Sequence, residues 1–249
     1  MSITLKDFPE KADTNNEEIG MSRKYIFLAA LVLFIGPLWA QDTAVFVDFG
    51  FSADGRTYSF GQYGVNADTL RPWAEFCIID VASNSFVPGG RINYVHDSPV
   101  IAGNDGSGAL YRVVSRNTAL FDRYKIGYLL QGYPLYASLE NGVISGIETI
   151  EFRNFKTGES YRATLTSTGF GSAAGSSFSI NLERRNNDGS IKNFTAGNAA
   201  IKRPGIISYR IRKVLAAPNA GSLIFVIEMK KQNANGSVDI RYMAETLRL

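Results

Sequence analysis

The only histidine of the chain sits in Tyr94-Val95-His96-Asp97-Ser98, beside an aspartate and a serine. An imidazole with a hydroxyl and a carboxylate is the material of nucleophilic hydrolysis, where the base takes the nucleophile's proton and the acid orients the base. The spacing defeats that chemistry, because neighbours on an extended segment point to opposite faces. No Gly-x-Ser-x-Gly elbow accompanies them, so no catalytic residue is assigned. A single His and a single Cys leave too few soft ligands for zinc, and neither a metal nor a cofactor is expected.

Gly103-Asn104-Asp105-Gly106-Ser107-Gly108 could cradle an anion with backbone amides. It lacks the Lys-Ser/Thr ending of a phosphate loop and reads as a helix-capping loop, with Ser107 capping the first amides. Asp105 and Asp188 fit no twelve-residue calcium pattern, and Asp54 serves its own turn. Cys77 lies in the apolar run Phe76-Cys77-Ile78-Ile79 and reads as a buried, inert thiol. As the only cysteine it excludes an intramolecular disulfide.

Four aromatic residues remain as candidate ligand contacts: Tyr63, Trp73, Tyr133 and Tyr136, each in or near a segment read as a loop. Aromatic faces beside glycine and polar groups suit glycans or peptides. Packing over the ends of sheets explains the same residues.

The elements that must hold these side chains are mostly strands. Apolar and polar residues alternate with a period of two over 45–51, 57–62, 74–81 and 85–87, and again from Ile147 onward. Residues 63–73 read as a polar loop, and Pro88-Gly89-Gly90 closes the first unit. Turns are expected at Ser52–Gly55, Lys156–Glu159, Asn186–Gly189 and Asn233–Gly236. Leu223 to Met229 is a dense apolar strand. Ala109 to Tyr124 breaks the pattern: Leu110, Val113, Val114, Leu120, Phe121 and Tyr124 recur at helical spacing and predict one amphipathic helix. The turn-and-strand unit at 51–60 is echoed at 217–225. The spacing does not recur between them, so the echo has two copies.

Residues 21–40 read as a secretory signal. Met21-Ser22-Arg23-Lys24 is the positive start, Tyr25 to Ile35 the apolar core, and Ala40 the small residue before a cut at Gln41. The core is shorter than the roughly 20 residues a membrane-spanning helix needs, so no stable span is expected after cleavage. Residues 1–20 are polar, acidic and unpatterned, and read as a leader upstream of a true start at Met21. Residues 41–249 are then one mainly β secreted domain, large enough for a sizeable core. Its charge is uneven: residues 41–150 carry 7 basic and 11 acidic side chains, residues 151–249 carry 15 and 7. The basic residues mostly alternate along strands, as on a solvated sheet face. No dense Lys/Arg run with interleaved aromatics appears, which disfavours nucleic acid.

Two resemblances follow. Phe49-Gly50-Phe51-Ser52-Ala53-Asp54-Gly55-Arg56, with Phe60 and Phe76-Cys77-Ile78-Ile79-Asp80-Val81, resembles one unit of the TolB-type β-propeller repeat, with Ala53 in place of the usual proline. The mature chain as a whole is similar to a bacterial family of predicted secreted proteins, domain of unknown function 2259. That likeness rests on the signal, the Phe51–Gly55 turn followed by Tyr63-Gly64, the Ile79-Asp80-Val81 strand, the central helix and the Ile240-Arg241-Tyr242 ending. It implies a secreted bacterial protein without assigned activity.

The expectation is therefore a secreted or periplasmic, mainly β protein: antiparallel sheets with propeller-blade-like units and one inserted amphipathic helix. Its expected role is a non-enzymatic binding or envelope-associated module, its partner an envelope protein, peptide or glycan. The alternative is an envelope hydrolase of the glycoside hydrolase type, with carboxylates dispersed in sequence and gathered by the fold.

Overall fold

The computed structural model describes residues 42–249, apart from Ser145 and Ala173. The leader, the export signal and the cut before Gln41 lie outside the described residues. Twelve strands of the described residues form three four-stranded antiparallel sheets. The first is a meander of β1 (Val45–Phe51), β2 (Thr57–Val65), β3 (Pro72–Asp80) and β4 (Ser85–Val95). Two short helices follow, α1 (Ser107–Arg116) and α2 (Thr118–Arg123), and then β5 (Tyr133–Ala137). A second meander comprises β6 (Ile147–Arg153), β7 (Ser160–Thr168), β8 (Ser177–Arg185) and β9 (Ile191–Ala196). The last three strands are β10 (Ile206–Ala216), β11 (Ser222–Gln232) and β12 (Val238–Arg248). They build the remaining sheet in the order β12-β11-β10-β5.

Side-chain direction sets the layers. One face of the first sheet packs Ala74, Phe76 and Ile78 against Ala109, Leu110, Val113 and Phe121 of the helices. The other face packs Tyr58, Phe60, Cys77 and Ile79 against Leu215, Ile224 and Val226. The opposite face of that last sheet packs Tyr209, Ile211 and Phe225 against Tyr161, Leu165, Phe178 and Ile180 of the second meander. The β12-β11-β10-β5 sheet is thus the middle layer, covered on both sides. This is why Leu223–Ile227 is a continuous apolar run, as in any strand buried on both faces, while β7 alternates buried Tyr161, Ala163 and Leu165 with outward residues. Each fully buried Phe, Ile or Leu contributes about 1.5–3 kcal/mol.

Several local expectations are corrected. The helix expected over 109–124 is two helices, broken at Asn117, where φ is −126° and the side-chain amide donates to the Val113 carbonyl at 2.7 Å. Ser107 does not cap α1; its own N–H is taken by Asp105 Oδ1 at 3.0 Å. The loop expected over 63–73 is shorter, because β2 runs to Val65 and β3 begins at Pro72. Pro88-Gly89-Gly90 bulges β4 rather than ending it, with Gly89 at φ 71°. Tyr133 and Tyr136 lie on β5, not in a loop.

The echo of 51–60 at 217–225 has a physical counterpart. Ser52 N–H bonds the Thr57 carbonyl and Gly55 N–H bonds the Ser52 carbonyl; Ala217 N–H bonds the Ser222 carbonyl and Ala220 N–H bonds the Ala217 carbonyl. The same frame closes both turns, and it aligns Gly55 with Ala220, at φ 69° and 56°. The two turns touch: a Cβ on Gly55 would lie 2.8 Å from Asn219 Nδ2.

Candidate functional site: a groove floored by a strand edge

β12 is the outer strand of the middle layer, and its free edge faces a groove. One wall of the groove is the first sheet, through β3 and β4; the other is the segment 195–203 at and beyond β9. Two adjoining clefts, of about 610 Å³ and about 600 Å³, share Ile79, Phe86, Ile201, Arg203, Met243 and Ala244 and so form one continuous depression.

The edge is satisfied in a particular way. β12 pairs with β11 in unbroken register, so the peptide groups of alternate residues 240, 242, 244 and 246 face the groove. The chain start takes the first rung: Ile240 N–H bonds the Asp42 carbonyl at 2.8 Å, and Ala44 N–H bonds the Ile240 carbonyl at 3.1 Å. Gln62, reaching from β2, takes the second: its amide donates to the Tyr242 carbonyl and accepts the Tyr242 N–H, both at 2.8 Å. Asn84 Oδ1 accepts the Thr246 N–H at 2.7 Å. No described residue bonds the outward N–H and C=O of Ala244.

Charge in the groove is mixed and mostly committed. Glu75 Oε1 accepts from Arg91 Nε at 2.6 Å, and Oε2 accepts from Gln62 at 2.6 Å. Arg91 also lies 5.2 Å from the centre of the Phe86 ring. Glu245 is buried and bonded by the Asn84 amide; burial raises its pKa above the usual glutamate value, against the lowering pull of Asn84 and of Arg203. Arg203 stacks 5.3 Å from the Phe178 ring and enters no ion pair among the described residues. At one end Arg241 lies 3.9 Å from the centre of the Trp73 ring and bonds the buried Asp42 carboxylate at 2.7 Å, which also accepts from Trp73 Nε1 at 3.1 Å. Burial raises the Asp42 pKa despite the opposing pull of Arg241.

Of the four aromatic candidates, only Trp73 lines the groove. Tyr63 packs on the opposite, helix-covered face of the first sheet. Tyr133 and Tyr136 pack against the core between the middle layer and the second meander, with Lys156 Nζ 3.8 Å from the Tyr133 ring centre. The four do not converge. The groove residues that the sequence did not single out, Gln62, Asn84, Arg203 and Met243, come from distant parts of the chain. Gln62 and Tyr242 are 180 positions apart, and no local spacing announces them.

The remaining sequence motifs lie elsewhere. His96 Nδ1 accepts the backbone N–H of Ser98 at 3.1 Å. Cys77 lines the groove floor but is buried, and desolvation, aided by the Glu75 charge, pushes its thiol pKa far up. Among the described residues no three His, Cys, Asp or Glu side chains gather as a metal site, and no helix is long and apolar enough to cross a membrane.

A search of the curated proteins finds no match. Residues 59–248, which span β2 to β12, match the family model described as predicted secreted protein, domain of unknown function 2259. The chain belongs to that family of predicted secreted proteins.

Proposed function

We propose that the protein is a non-enzymatic binding module of the bacterial envelope, exported to the periplasm by the signal at 21–40 and holding its ligand in the β12-edge groove. The observation that carries this reading is the composition of the groove. Phe86 and Ile201 stand half-exposed at its lips, Met243 and Ala244 lie between them, and Arg203 faces it with no ion pair among the described residues. Such a surface suits an anionic ligand with apolar parts, because a concave apolar lining supplies area and a few polar groups fix orientation. The four-stranded units are read as relatives of TolB-type propeller blades, a kinship supported by the meander order of the first sheet and its Ser52–Gly55 turn.

The test is ligand capture from envelope extracts by the mature protein and by the double variant Phe86→Glu/Ile201→Glu. Both residues are at the surface, so the variant keeps its fold and its circular dichroism spectrum. Loss of the captured species supports the groove; equal capture sinks it.

A second reading, an envelope hydrolase, draws on Glu245, whose burial moves its pKa in the direction a general acid requires. It is the weaker one, because both oxygens of the other groove carboxylate, Glu75, are engaged by Arg91 and Gln62. Release of reducing ends from envelope polysaccharide by the wild type, abolished in Glu245→Gln, would favour it.

A further inference from the structure

Resting on the groove as the ligand site, we infer that its occupant is an extended polypeptide segment that adds a short strand to the β12 edge and alternates apolar with acidic side chains.

The argument starts from the open rung. Of the outward positions that face the groove, Ile240 is met by the backbone of residues 42–44 and Tyr242 by the Gln62 amide, while at Thr246 Asn84 meets the N–H. The Gln62 amide gives Tyr242 both the donor and the acceptor of a neighbouring peptide group, and the Asn84 amide gives Thr246 the acceptor alone, its own N–H going to the Glu245 carboxylate. Between them the N–H and C=O of Ala244 face the groove unmet. A paired strand edge is the one surface on which a peptide backbone finds both its groups answered at once, and added strands are recognised in this way. The existing neighbour points the same way. Residues 42–44 already run alongside β12, pairing Thr43 with Ile240 in parallel, and stop short of Ala244. The vacant position lies along the same edge, one rung beyond the Gln62 side chain at Tyr242.

The side-chain preference follows from the pleat. In an added strand, successive side chains point to opposite faces. One face looks toward Phe86, Cys77 and Ile79 of the first sheet, which are apolar, beside Arg91 and Glu75, whose charges are paired with each other. The other looks toward Arg203, on the side of the second meander. Apolar residues suit the first face. A carboxylate suits the second, where the guanidinium gives one N–H to the Ile201 carbonyl and forms no ion pair among the described residues, although it acts on Glu245 at longer range. A polyuronate carries no amide N–H and C=O to answer Ala244, and the acetamido groups of N-acetylated glycans lack the spacing of a strand, so the rung favours a peptide over an acidic polysaccharide.

Calorimetric titration of the mature protein tests this with four probes: a blocked octapeptide of alternating Val and Glu, its Val/Lys counterpart, the Val/Glu peptide N-methylated at alternate residues, and polygalacturonate. The expected result is binding of the Val/Glu peptide, loss of at least tenfold in affinity on N-methylation and in the Arg203→Glu variant, and no binding of the Val/Lys peptide. Equal binding of the N-methylated and parent peptides, or of both charge types, overturns the inference. So does binding of polygalacturonate with no peptide bound. If no peptide binds while Phe86→Glu/Ile201→Glu still abolishes envelope capture, the peptide inference fails and the groove stands. If that double variant captures as the wild type does, the groove itself fails.

Discussion

The Gln62 side chain completes the hydrogen bonding of Tyr242, giving its N–H to the Tyr242 carbonyl and taking the Tyr242 N–H at 2.8 Å each. Gln62 is itself buried on β2, so a side chain of the first sheet finishes the ladder of the middle one. Replacing Gln62 by Leu leaves two main-chain groups and one Glu75 oxygen without that partner. Each buried group left unmet costs about 1–3 kcal/mol. The expected outcome is a fall in the urea midpoint with unchanged slope, and faster hydrogen exchange at Tyr242 than at Ile227 of β11.

The paired turns make a second prediction of opposite signs. Ala220 holds φ 56° at the place where its counterpart turn has Gly55 at φ 69°. Left-handed backbone costs a residue with a Cβ about 1–2 kcal/mol, and glycine gives back part of that through its greater unfolded freedom. Ala220→Gly is therefore expected to stabilise by about 0.5–1 kcal/mol. Gly55→Ala is expected to destabilise, because alanine would have to hold φ 69° and its Cβ would also displace the Asn219 amide, 2.8 Å away. Thermal unfolding of the two variants checks both signs.

Behind the groove, Arg212 Nε lies 2.5 Å from Glu228 Oε2, and Glu228 is 1% exposed. Arg212 also donates to the carbonyls of Ser138 and Glu140, while Lys230 donates to those of Asn141 and Gly142. Arg210 donates to the Glu140 carbonyl as well, so three cations gather the carbonyls of the 138–142 loop. Glu228→Ala strands the Arg212 charge and is expected to cost about 3–5 kcal/mol. Removing both charges in Arg212→Met/Glu228→Met is expected to recover much of that, since two charges no longer need desolvation. The loop then loses its Arg212 bonds, so proteolysis within 138–142 should accelerate in the double variant although its denaturation midpoint lies above that of Glu228→Ala.

Burial raises the carboxyl pKa of Glu245, and those of Asp42, Asp48 and Glu148 as well. A carboxyl that holds its proton more tightly folded than unfolded binds more protons in the folded state. Its contribution to stability is full below the unfolded value, 4.5 for glutamate, and is lost as pH rises through the higher folded value. Glu245→Gln keeps an acceptor for Asn84 and removes the titration. Across urea titrations from neutral pH down to about 4.5, the wild type is expected to gain stability relative to Glu245→Gln. A constant difference between the two across that range would contradict the assignment.

The sheet architecture was legible because periodicity is local. Alternation located β1, β6, β7 and β12, and the dense run at 223–229 marked an apolar strand, whose cover on both faces only the packed layers reveal. The Asn-Gly and Asp-Gly turns were read from turn chemistry that acts over four residues. What sequence did not yield depends on contacts across the chain. The break at Asn117 is a side-chain bond to Val113 on a segment whose helical periodicity continues through it. The bulge at Gly89 lies in a segment whose Pro-Gly-Gly composition equally marks a chain end. The groove is made of residues from β2, the β3–β4 turn, the segment after β9 and β12, and its most informative feature, an unmet backbone rung at Ala244, has no side-chain signature at all. The aromatic residues chosen as ligand contacts were visible by type, yet the pleat sends Tyr63 and Trp73 to opposite faces of one sheet.

The measurement that bears most directly on the groove is site-specific photo-cross-linking in the exporting cell. A benzophenone side chain is placed at Phe86, at the lip of the groove, and separately at Leu129, 98% exposed and lining neither groove cleft. The account predicts a discrete polypeptide adduct from position 86 and none from position 129. An adduct from position 129 alone, or no adduct from position 86, would contradict it.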